Sequence, residues 1–254
     1  MLFAGIDLGS RTIKLVIVDE DGKLVEACQL ASGFDALATA KELITGKSYD
    51  QVMATGYGRG LFEVAFDAPT VTEIKAHAVG ARHFFPQAKT VLDIGGQDSK
   101  AMSLTDIGKV KKFEMNDRCA AGTGKFLEIM AKTLGYEIDE FGLAAENTQD
   151  ELAISSMCTV FAESEVTSLI AKGEKREKIA RGIHLSVVNR ASGMLNRVSA
   201  EGAIIFTGGV AKNRCICRML GNKLGREILV PKDPQIVGAL GAALILQAQN
   251  ANSN

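Results

Sequence analysis

Two aspartates of this chain stand in the same sequence pattern, Asp-x-Gly-x4-Lys, which occurs once near the N-terminus and once before residue 100. The first copy pairs Asp7 with Lys14, and the second pairs Asp93 with Lys100. In each copy the aspartate ends an apolar, strand-like run, a glycine turn follows, and a second apolar run begins. Such a turn supplies backbone N–H donors and a carboxylate, which can hold a nucleotide phosphate and its metal ion. The repeat predicts a duplicated domain with one phosphate-binding turn in each copy.

Both turns offer further groups to a phosphate. Glycine lets the backbone approach phosphate oxygens closely, and hydroxyl groups can add hydrogen bonds. We expect Asp7 and Asp93 to hold Mg²⁺, directly or through water, because Mg²⁺ loses its water ligands reluctantly. Lys14 could neutralise phosphate charge, although side-chain alternation along a strand could also point it elsewhere. The other candidate ligands in the turns are Gly9, Ser10, Thr12, Gly95, Gly96 and Ser99.

A carboxylate and three histidines need separate interpretation. Glu73 opens a helix predicted near 72–84, where it could orient a water molecule that attacks phosphate. It could equally be an acidic residue favoured at a helix N-terminus by the helix dipole. We interpret His77 as a structural residue, and His83 and His184 as surface or packing residues.

The pattern of apolar residues and turns predicts alternating strands and helices. Strands are expected near 2–8, 12–18, 23–30, 51–54, 90–94, 99–104, 108–115, 203–206 and 226–230. Helices are expected near 32–43, 72–84, 122–134, 157–171, 174–198, 211–220 and 235–248.

A second landmark repeats in the two halves, namely a strand that enters a Gly turn before a helix, at 53–56 and 205–208. In the second half this turn continues to Asn213, and it would admit a flat base or a ribose close to the backbone. The second half is also much longer between its two landmarks. Cys119 and Cys158 both lie in this extra stretch, which makes the insertion a candidate for a specialised function; the alternative is that it only adds bulk.

Composition sets limits on the class of protein. The chain has 254 residues, is 46% hydrophobic and 23% charged, and carries a net charge of −1. This balance predicts neither a nucleic-acid partner nor an anionic membrane surface. The longest apolar run, 236–246, is short and broken by glycine, so no membrane span is expected. The start of the chain has no leader pattern, and we expect a cytoplasmic protein whose five cysteines are thiols or metal ligands rather than disulfides.

Two of the cysteines are placed for ligand chemistry. Cys119 precedes the Gly-rich opening of a helix and Cys158 begins another, and helix N-termini stabilise thiolates. An Fe–S cluster usually takes four thiolates, however, and Cys215 and Cys217 would point to nearly opposite faces of one helix. A two-fold dimer that brings Cys119 and Cys158 of each chain to one centre would solve this. A buried structural role for these cysteines remains the alternative.

Several stretches of the chain together resemble a known family. They are Gly5–Thr12, Asp93–Lys100, Asn116–Gly124, Met157–Glu163 and Phe206–Asn213. The chain resembles the ATP-dependent activators (component A) of 2-hydroxyacyl-CoA dehydratases, which are related to the ATPase subunits of benzoyl-CoA reductase. The phosphate motifs alone are shared with sugar kinases, actin and Hsp70-type chaperones, whereas the two cysteine motifs are far more specific.

The resemblance implies the α/β fold of the acetate-and-sugar-kinase, Hsp70 and actin group, with two ribonuclease-H-like domains around a nucleotide cleft. We expect the first domain to span 1–88 and the second 89–234, with a C-terminal helix in 235–254 packing back on the first.

The resemblance also implies cofactors and partners. These are ATP or ADP with Mg²⁺, and one [4Fe–4S] cluster shared by a homodimer through Cys119 and Cys158 of each chain. The cluster's electron, received from a ferredoxin or flavodoxin, would pass to an iron–sulfur dehydratase or reductase in an oxygen-sensitive, anaerobic system. Gln97 or Glu73 would orient the attacking water. The further nucleotide-binding residues implied are Arg11, Asp98, Gly122, Gly124, Lys125, Gly208, Gly209 and Asn213.

Two other functions remain open on the sequence. A small-molecule kinase for a sugar or carboxylic acid would share the phosphate motifs, but it would need a polar substrate pocket and a base. A nucleotide-regulated scaffold could instead hold Zn²⁺ through its cysteines.

Overall fold

Nine strands and nine α-helices make up the part of the chain that the computed structural model describes, which is residues 1–150, 152–154 and 158–251. The first half contains β1 (Phe3–Leu8), β2 (Thr12–Val18), β3 (Leu24–Ala31), α1 (Ala36–Ile44), β4 (Gln51–Gly56), α2 (Arg59–Phe66) and α3 (Glu73–Phe84). The second half begins with β5 (Thr90–Ile94), β6 (Ser99–Leu104), β7 (Val110–Asn116), α4 (Gly124–Thr133), α5 (Ile138–Glu146), α6 (Thr159–Ala171) and α7 (Arg176–Arg197). It ends with β8 (Ile204–Thr207), a 3₁₀ turn (Gly209–Lys212), α8 (Arg214–Leu224), β9 (Ile228–Leu229) and α9 (Val237–Ala251).

The strands form two sheets of related topology. The first has the order β3-β2-β1-β4, and the second has the order β7-β6-β5-β8-β9. In both, three consecutive strands are antiparallel and the next strand, after a helical crossover, pairs parallel to the central one. The predicted α/β fold is therefore confirmed.

The register of the central strands places the repeated aspartates and lysines side by side. Asp7 lies opposite Lys14 across β1 and β2, and Asp93 lies opposite Lys100 across β5 and β6. Cross-strand neighbours have side chains on the same face of a sheet. The pattern Asp-x-Gly-x4-Lys thus produces a carboxylate and an ammonium group at the end of each central strand.

Helix α9 packs against β1, β4 and α3 in the first half, although it follows the second half in sequence. The contact is close because the backbones meet at glycines. A Cβ on Gly5 would lie 2.0 Å from the Ala239 carbonyl oxygen, and one on Gly241 would lie 1.8 Å from that of Ala76. Any side chain at either position would separate the elements.

The predicted elements mostly agree with the structure, with three corrections. Helix α5 was not expected, whereas α2 follows the Gly56 turn, after which the second landmark predicted a helix. The first helix begins at Ala36 instead of residue 32, because the Asp35 side chain accepts from the Ala38 N–H and caps it. The helix expected at 211–220 is a 3₁₀ turn followed by α8, which starts after Asn213.

Some expectations concern residues outside the described ranges. These are Met157, which opens one cysteine motif and one predicted helix, and residues 252–254 of the expected C-terminal segment. Among the described residues, no helix combines the length and apolar character needed to cross a membrane.

Candidate functional site

A cavity of about 1090 Å³ is lined by residues of both sheets. Its walls come from the turns after β1 and β5, the start of α3, helix α5, and the turn before α8. We call it the cleft. Of the predicted catalytic and nucleotide-binding residues, the cleft is lined by Asp7, Gly9, Ser10, Arg11, Thr12, Lys14, Glu73, Asp93, Gly95, Gly96, Asp98, Gly124, Gly208, Gly209 and Asn213.

Other expected nucleotide ligands lie outside this lining. The Gln97 side chain is exposed, and Ser99 is buried within β6. Gly122 packs under Arg190, since a Cβ there would lie 2.6 Å from Arg190 Cδ. Lys125 contacts the second phosphate turn through its backbone, because its N–H donates to the Gly96 carbonyl at 2.8 Å.

The first phosphate turn carries an ion pair at the cleft wall. Lys14 Nζ lies 3.2 Å from Asp7 Oδ2, and the two side chains are 13% and 10% exposed. Lys14 therefore points into the cleft, which answers the question that strand alternation left open.

The second turn contains a more deeply buried cluster around Lys100, whose side chain is 2% exposed. Lys100 Nζ lies 2.8 Å from Glu73 Oε2 and 3.4 Å from Asp93 Oδ2, and it donates a hydrogen bond to Asp98. Burial alone would lower the pKa of Lys100, but the three carboxylates outweigh it and raise that pKa. Lys100 thus connects the start of α3 to the second turn as a cation.

Lys100 was not among the site residues predicted from the sequence. The signal was available, because Lys100 occupies the same place in the second motif as Lys14 does in the first.

The pKa values of two carboxyl groups in this cluster shift in opposite directions. Burial opposes the ionisation of Asp93, yet His77, Lys100, Thr207 and Lys14 together lower its pKa. Thr207 Oγ1 donates to Asp93 Oδ1 at 2.8 Å. The pKa of Asp98 is raised, mainly by burial and also by its carboxylate neighbours, against the effect of Lys100. Asp93 is therefore held as an anion, and Asp98 is the carboxyl group that gains a proton more readily.

His77 lies in the cleft wall rather than apart from it. Its Nδ1 is 3.3 Å from Asp93 Oδ1, but the geometry is not that of a hydrogen bond. His77 belongs to α3 and its ring lies beside Asp93, so α3 contacts the second turn through this side chain.

Matching glycines bring backbone next to both aspartates. Gly56 ends β4 and Gly208 directly follows β8, the two strands parallel to the central ones, and their φ values are 91° and 85°. A Cβ would lie 2.5 Å from Asp7 Oδ1 at Gly56 and 3.0 Å from Asp93 Oδ1 at Gly208. Only glycine fits both this conformation and this space.

The wall opposite the phosphate turns is formed by α5 and the start of α8. Ile138 and Leu143 of α5 present exposed apolar side chains to the cleft. Arg218 Nη2 and Glu146 Oε1 form an ion pair of 3.0 Å between the two helices. An apolar surface with polar groups at its edge can hold the flat face of a base. Ile138, Leu143 and Glu146 were not among the predicted site residues because α5 was not expected.

The start of α4 joins the second phosphate turn to the loop that contains Cys119. The Gly124 N–H donates to the Gly95 carbonyl at 2.9 Å. Arg11 of the first turn also reaches α4, with its Nη2 2.6 Å from Glu128 Oε2. Both phosphate turns are therefore in direct contact with α4.

Cys119 and Cys158 lie outside the cleft, and both are half-buried. Cys119 is in the loop before α4, where its carbonyl accepts from Asn116 Nδ2 at 2.8 Å. Cys158 is the N-cap residue of α6, and its side chain forms no capping hydrogen bond. The next residues, Val160 and Phe161, have large exposed apolar side chains.

Cys215 and Cys217 are unlike this pair. Burial raises the pKa of each thiol to about 11, so both are protonated at neutral pH. Cys215 Sγ donates to Met219 Sδ, and Cys217 Sγ donates to the Ala211 carbonyl. All five cysteines fall in the described ranges, and there none forms a disulfide.

Within the described residues of a single chain, no group of three or more His, Cys, Asp or Glu side chains is placed to hold a metal ion.

The comparisons with known proteins extend over nearly the whole chain. The sequence model of the BadF/BadG/BcrA/BcrD ATPase family matches residues 4–245. The activator of lactoyl-CoA dehydratase from Anaerotignum propionicum is 45% identical over 253 residues, which cover 96% of each protein. The structure of the activator of the 2-hydroxyisocaproyl-CoA dehydratase from Clostridium difficile with bound ADPNP has a TM-score of 0.90 and 38% identity, and the match covers 100% of this chain and 97% of that one.

A more distant structural match concerns the fold alone. A ROK family glucokinase from Streptomyces griseus has a TM-score of 0.54 at 15% identity, with 96% of this chain and 99% of that chain covered.

Proposed function

The chain belongs to the BadF/BadG/BcrA/BcrD ATPase family, and from this membership we propose that it is an ATP-hydrolysing activator of a 2-hydroxyacyl-CoA dehydratase or a related acyl-CoA reductase. The observation that carries the proposal is the 45% identity to the lactoyl-CoA dehydratase activator, because it extends over 96% of both proteins. It therefore includes the phosphate turns and the cysteine-bearing insertion together.

The nucleotide bound in the cleft would be ATP or ADP with Mg²⁺. Asp7 and Asp93 are the residues that would hold Mg²⁺, directly or through water. Both carboxylates line the cleft, each beside a glycine where a Cβ would crowd it, and carboxylate oxygens are ligands that Mg²⁺ accepts. Phosphate oxygens and water would supply the remaining ligands.

Glu73 is favoured over Gln97 as the residue that orients the attacking water. The Glu73 carboxylate lines the cleft, and Lys100 fixes its position at 2.8 Å. Gln97 has an exposed side chain outside the cleft lining. Positioning of the water by a carboxylate is a general feature of phosphate-transfer sites.

Cys119 and Cys158 are the residues that would hold a [4Fe–4S] cluster, two from each chain of a homodimer. The fit rests on three features of this structure: both are half-buried, neither is in a disulfide, and Cys158 stands at a helix N-terminus that favours a thiolate. The exposed Val160 and Phe161 next to Cys158 suit a covered interface. When bound, the cluster supplies a low-potential electron.

The role of the protein in this transfer would be to connect nucleotide state to the cysteine loop. The Gly124–Gly95 hydrogen bond and the Arg11–Glu128 ion pair join both phosphate turns to α4, directly after Cys119. A shift of the turns on ATP hydrolysis would therefore move this loop. A ferredoxin or flavodoxin would be the electron donor, and the dehydratase or reductase would be the acceptor.

A small-molecule kinase has weaker support. The likeness to glucokinase concerns fold alone, and the extra residues of the second half hold cysteines and the wall helix α5. The Zn²⁺ scaffold would lack the ATP hydrolysis expected from the family.

The test is purification without oxygen, followed by iron and sulfide analysis, EPR and an ATP hydrolysis assay. We expect about four iron atoms per dimer, a signal that differs between ATP and ADP, and hydrolysis that requires Mg²⁺. Cys158→Ala should lose the brown colour that an Fe–S cluster gives a protein, and it should retain nucleotide binding. Cys28→Ala on β3 should retain both the colour and nucleotide binding.

Two results would contradict these expectations. Iron far below this level after reconstitution would contradict the cluster. Stoichiometric phosphorylation of a metabolite would favour the kinase instead.

A further inference from the structure

Asn213 stands at the start of α8 and lines the cleft. Its Oδ1 accepts a hydrogen bond from the Ile216 N–H at 3.1 Å, so the side chain caps α8. Its Nδ2 lies 2.9 Å from Nε2 of His184. The two contacts agree on the orientation of the amide, because its oxygen faces a donor and its nitrogen faces the imidazole.

The tautomer of His184 follows from its other contact. His184 is fully buried on α7, and its Nδ1 is 2.8 Å from the Ala180 carbonyl oxygen. A carbonyl can only accept, so Nδ1 carries the proton. Burial lowers the pKa of His184 to about 4, so the ring is neutral at physiological pH. Nε2 therefore has a free lone pair, and Asn213 Nδ2 is the donor to it.

A third neighbour limits where Asn213 can move. Gly142 of α5 faces it, and a Cβ on Gly142 would lie 3.0 Å from Asn213 Oδ1. His184 itself is absent from the cleft lining, whereas Asn213 and Gly142 belong to it. One N–H of the Asn213 amide is used by His184, and an amide nitrogen has two. The second N–H remains, on a residue that lines the cleft.

We propose that His184 is a positioning residue for nucleotide binding, which holds the Asn213 amide so that its second N–H donates to a ribose oxygen or base nitrogen of the nucleotide. The inference rests on the proposed nucleotide-binding function. Of the two interpretations given to His184, the packing one is confirmed, since the ring is buried and its centroid lies 4.7 Å from that of Phe141. The two polar partners of the ring add the positioning role.

A double-mutant cycle on ADPNP affinity tests whether His184 acts through Asn213. We expect His184→Phe and Asn213→Ala each to weaken binding about 5- to 10-fold, as for the loss of one hydrogen bond. The double variant should bind like Asn213→Ala alone, because the second change removes nothing further. His83→Phe, at an exposed histidine of α3, is the matched control and should bind like wild type.

The ¹⁵N spectrum of the imidazole in nucleotide-free protein gives a second readout. It should show protonated Nδ1 and unprotonated Nε2, and Asn213→Ala should shift the Nε2 resonance. This measurement stands even where His184→Phe fails to fold. Additive losses in the cycle, an Nε2–H tautomer or an unmoved Nε2 resonance would each overturn the proposal. Wild-type protein that binds no ADPNP would instead contradict the proposed function.

Discussion

The two Asp–Lys pairs have the same spacing in sequence but different surroundings. The Asp7–Lys14 pair is partly exposed at the cleft wall, whereas Asp93 and Lys100 are 4% and 2% exposed. The second pair is balanced by two additional carboxylates, those of Glu73 and Asp98. A buried cation compensates the negative charges of the carboxylates around it. Its removal leaves these charges unpaired and poorly solvated. Lys100 therefore matters for stability as well as for the position of Glu73.

We predict that Lys100→Met destabilises the fold by about 3–5 kcal/mol at pH 8. In the variant, the folded-state pKa values of the carboxyl groups rise above their unfolded values, so the folded state binds more protons. The penalty should therefore shrink as the pH falls towards 5, with Asp98 protonated first because its pKa is already raised. Denaturant unfolding at the two pH values measures this effect.

Lys14→Met is the matched control for Lys100→Met. Its partner Asp7 has more access to water, so the loss should be smaller and should vary less with pH. If both variants lost the same free energy of unfolding with the same pH dependence, burial of the second pair would have no effect on stability.

At the level of elements, close packing of α9 holds the first half together. Gly241 of α9 touches the Ala76 carbonyl of α3, and no flexible side-chain end lies between them that could move aside. We predict that Gly241→Ala destabilises the protein by about 1–3 kcal/mol or more, because α9 and α3 must move apart to make room for the methyl group. Thermal unfolding measures the change.

Gly60→Ala provides the opposite case on α2. Its Cβ would meet nothing within 4 Å, so alanine should be neutral or stabilise by up to about 1 kcal/mol through its helix propensity. A neutral Gly241→Ala would mean that α9 and α3 are not in contact as described.

Sequence patterns predicted the elements best where they were long or repeated. The 22-residue α7 was expected within two residues at its ends, and the two Asp turns led to both central strands. Helix α5 was missed because it has only nine residues between polar and glycine-rich segments, although Ile138, Phe141 and Ala145 follow helical spacing.

The distribution of groups around the cleft was harder to foresee than the elements. The exposure of Gln97 depends on the conformation of its turn, and the burial of Lys100 depends on Glu73, which comes from another part of the chain. The contact between His184 and Asn213 joins residues 29 positions apart on two helices. Such contacts depend on tertiary packing, about which local periodicity contains no information.

At the level of the whole molecule, the cleft depends on both halves at once. One sheet contributes Asp7 and its turn, the other contributes Asp93 and its turn, and Lys100 reaches from the second sheet to Glu73. A ligand held by both turns must stabilise both sheets, since its binding free energy is lost when either half opens. A ligand held by one turn would protect only that half.

We therefore predict that saturating Mg²⁺ and ADPNP slow amide exchange in β1 and β5 together, and in the residues that follow each strand. Hydrogen-exchange mass spectrometry measures this, and β7, an edge strand with no residue in the cleft lining, serves as the internal reference. Asp93→Asn should weaken the protection in both sheets, because the ligand leaves both when one turn fails. Protection confined to the second sheet in wild-type protein would mean that the first turn does not touch the nucleotide, and the duplicated motif would then have separate roles in its two copies.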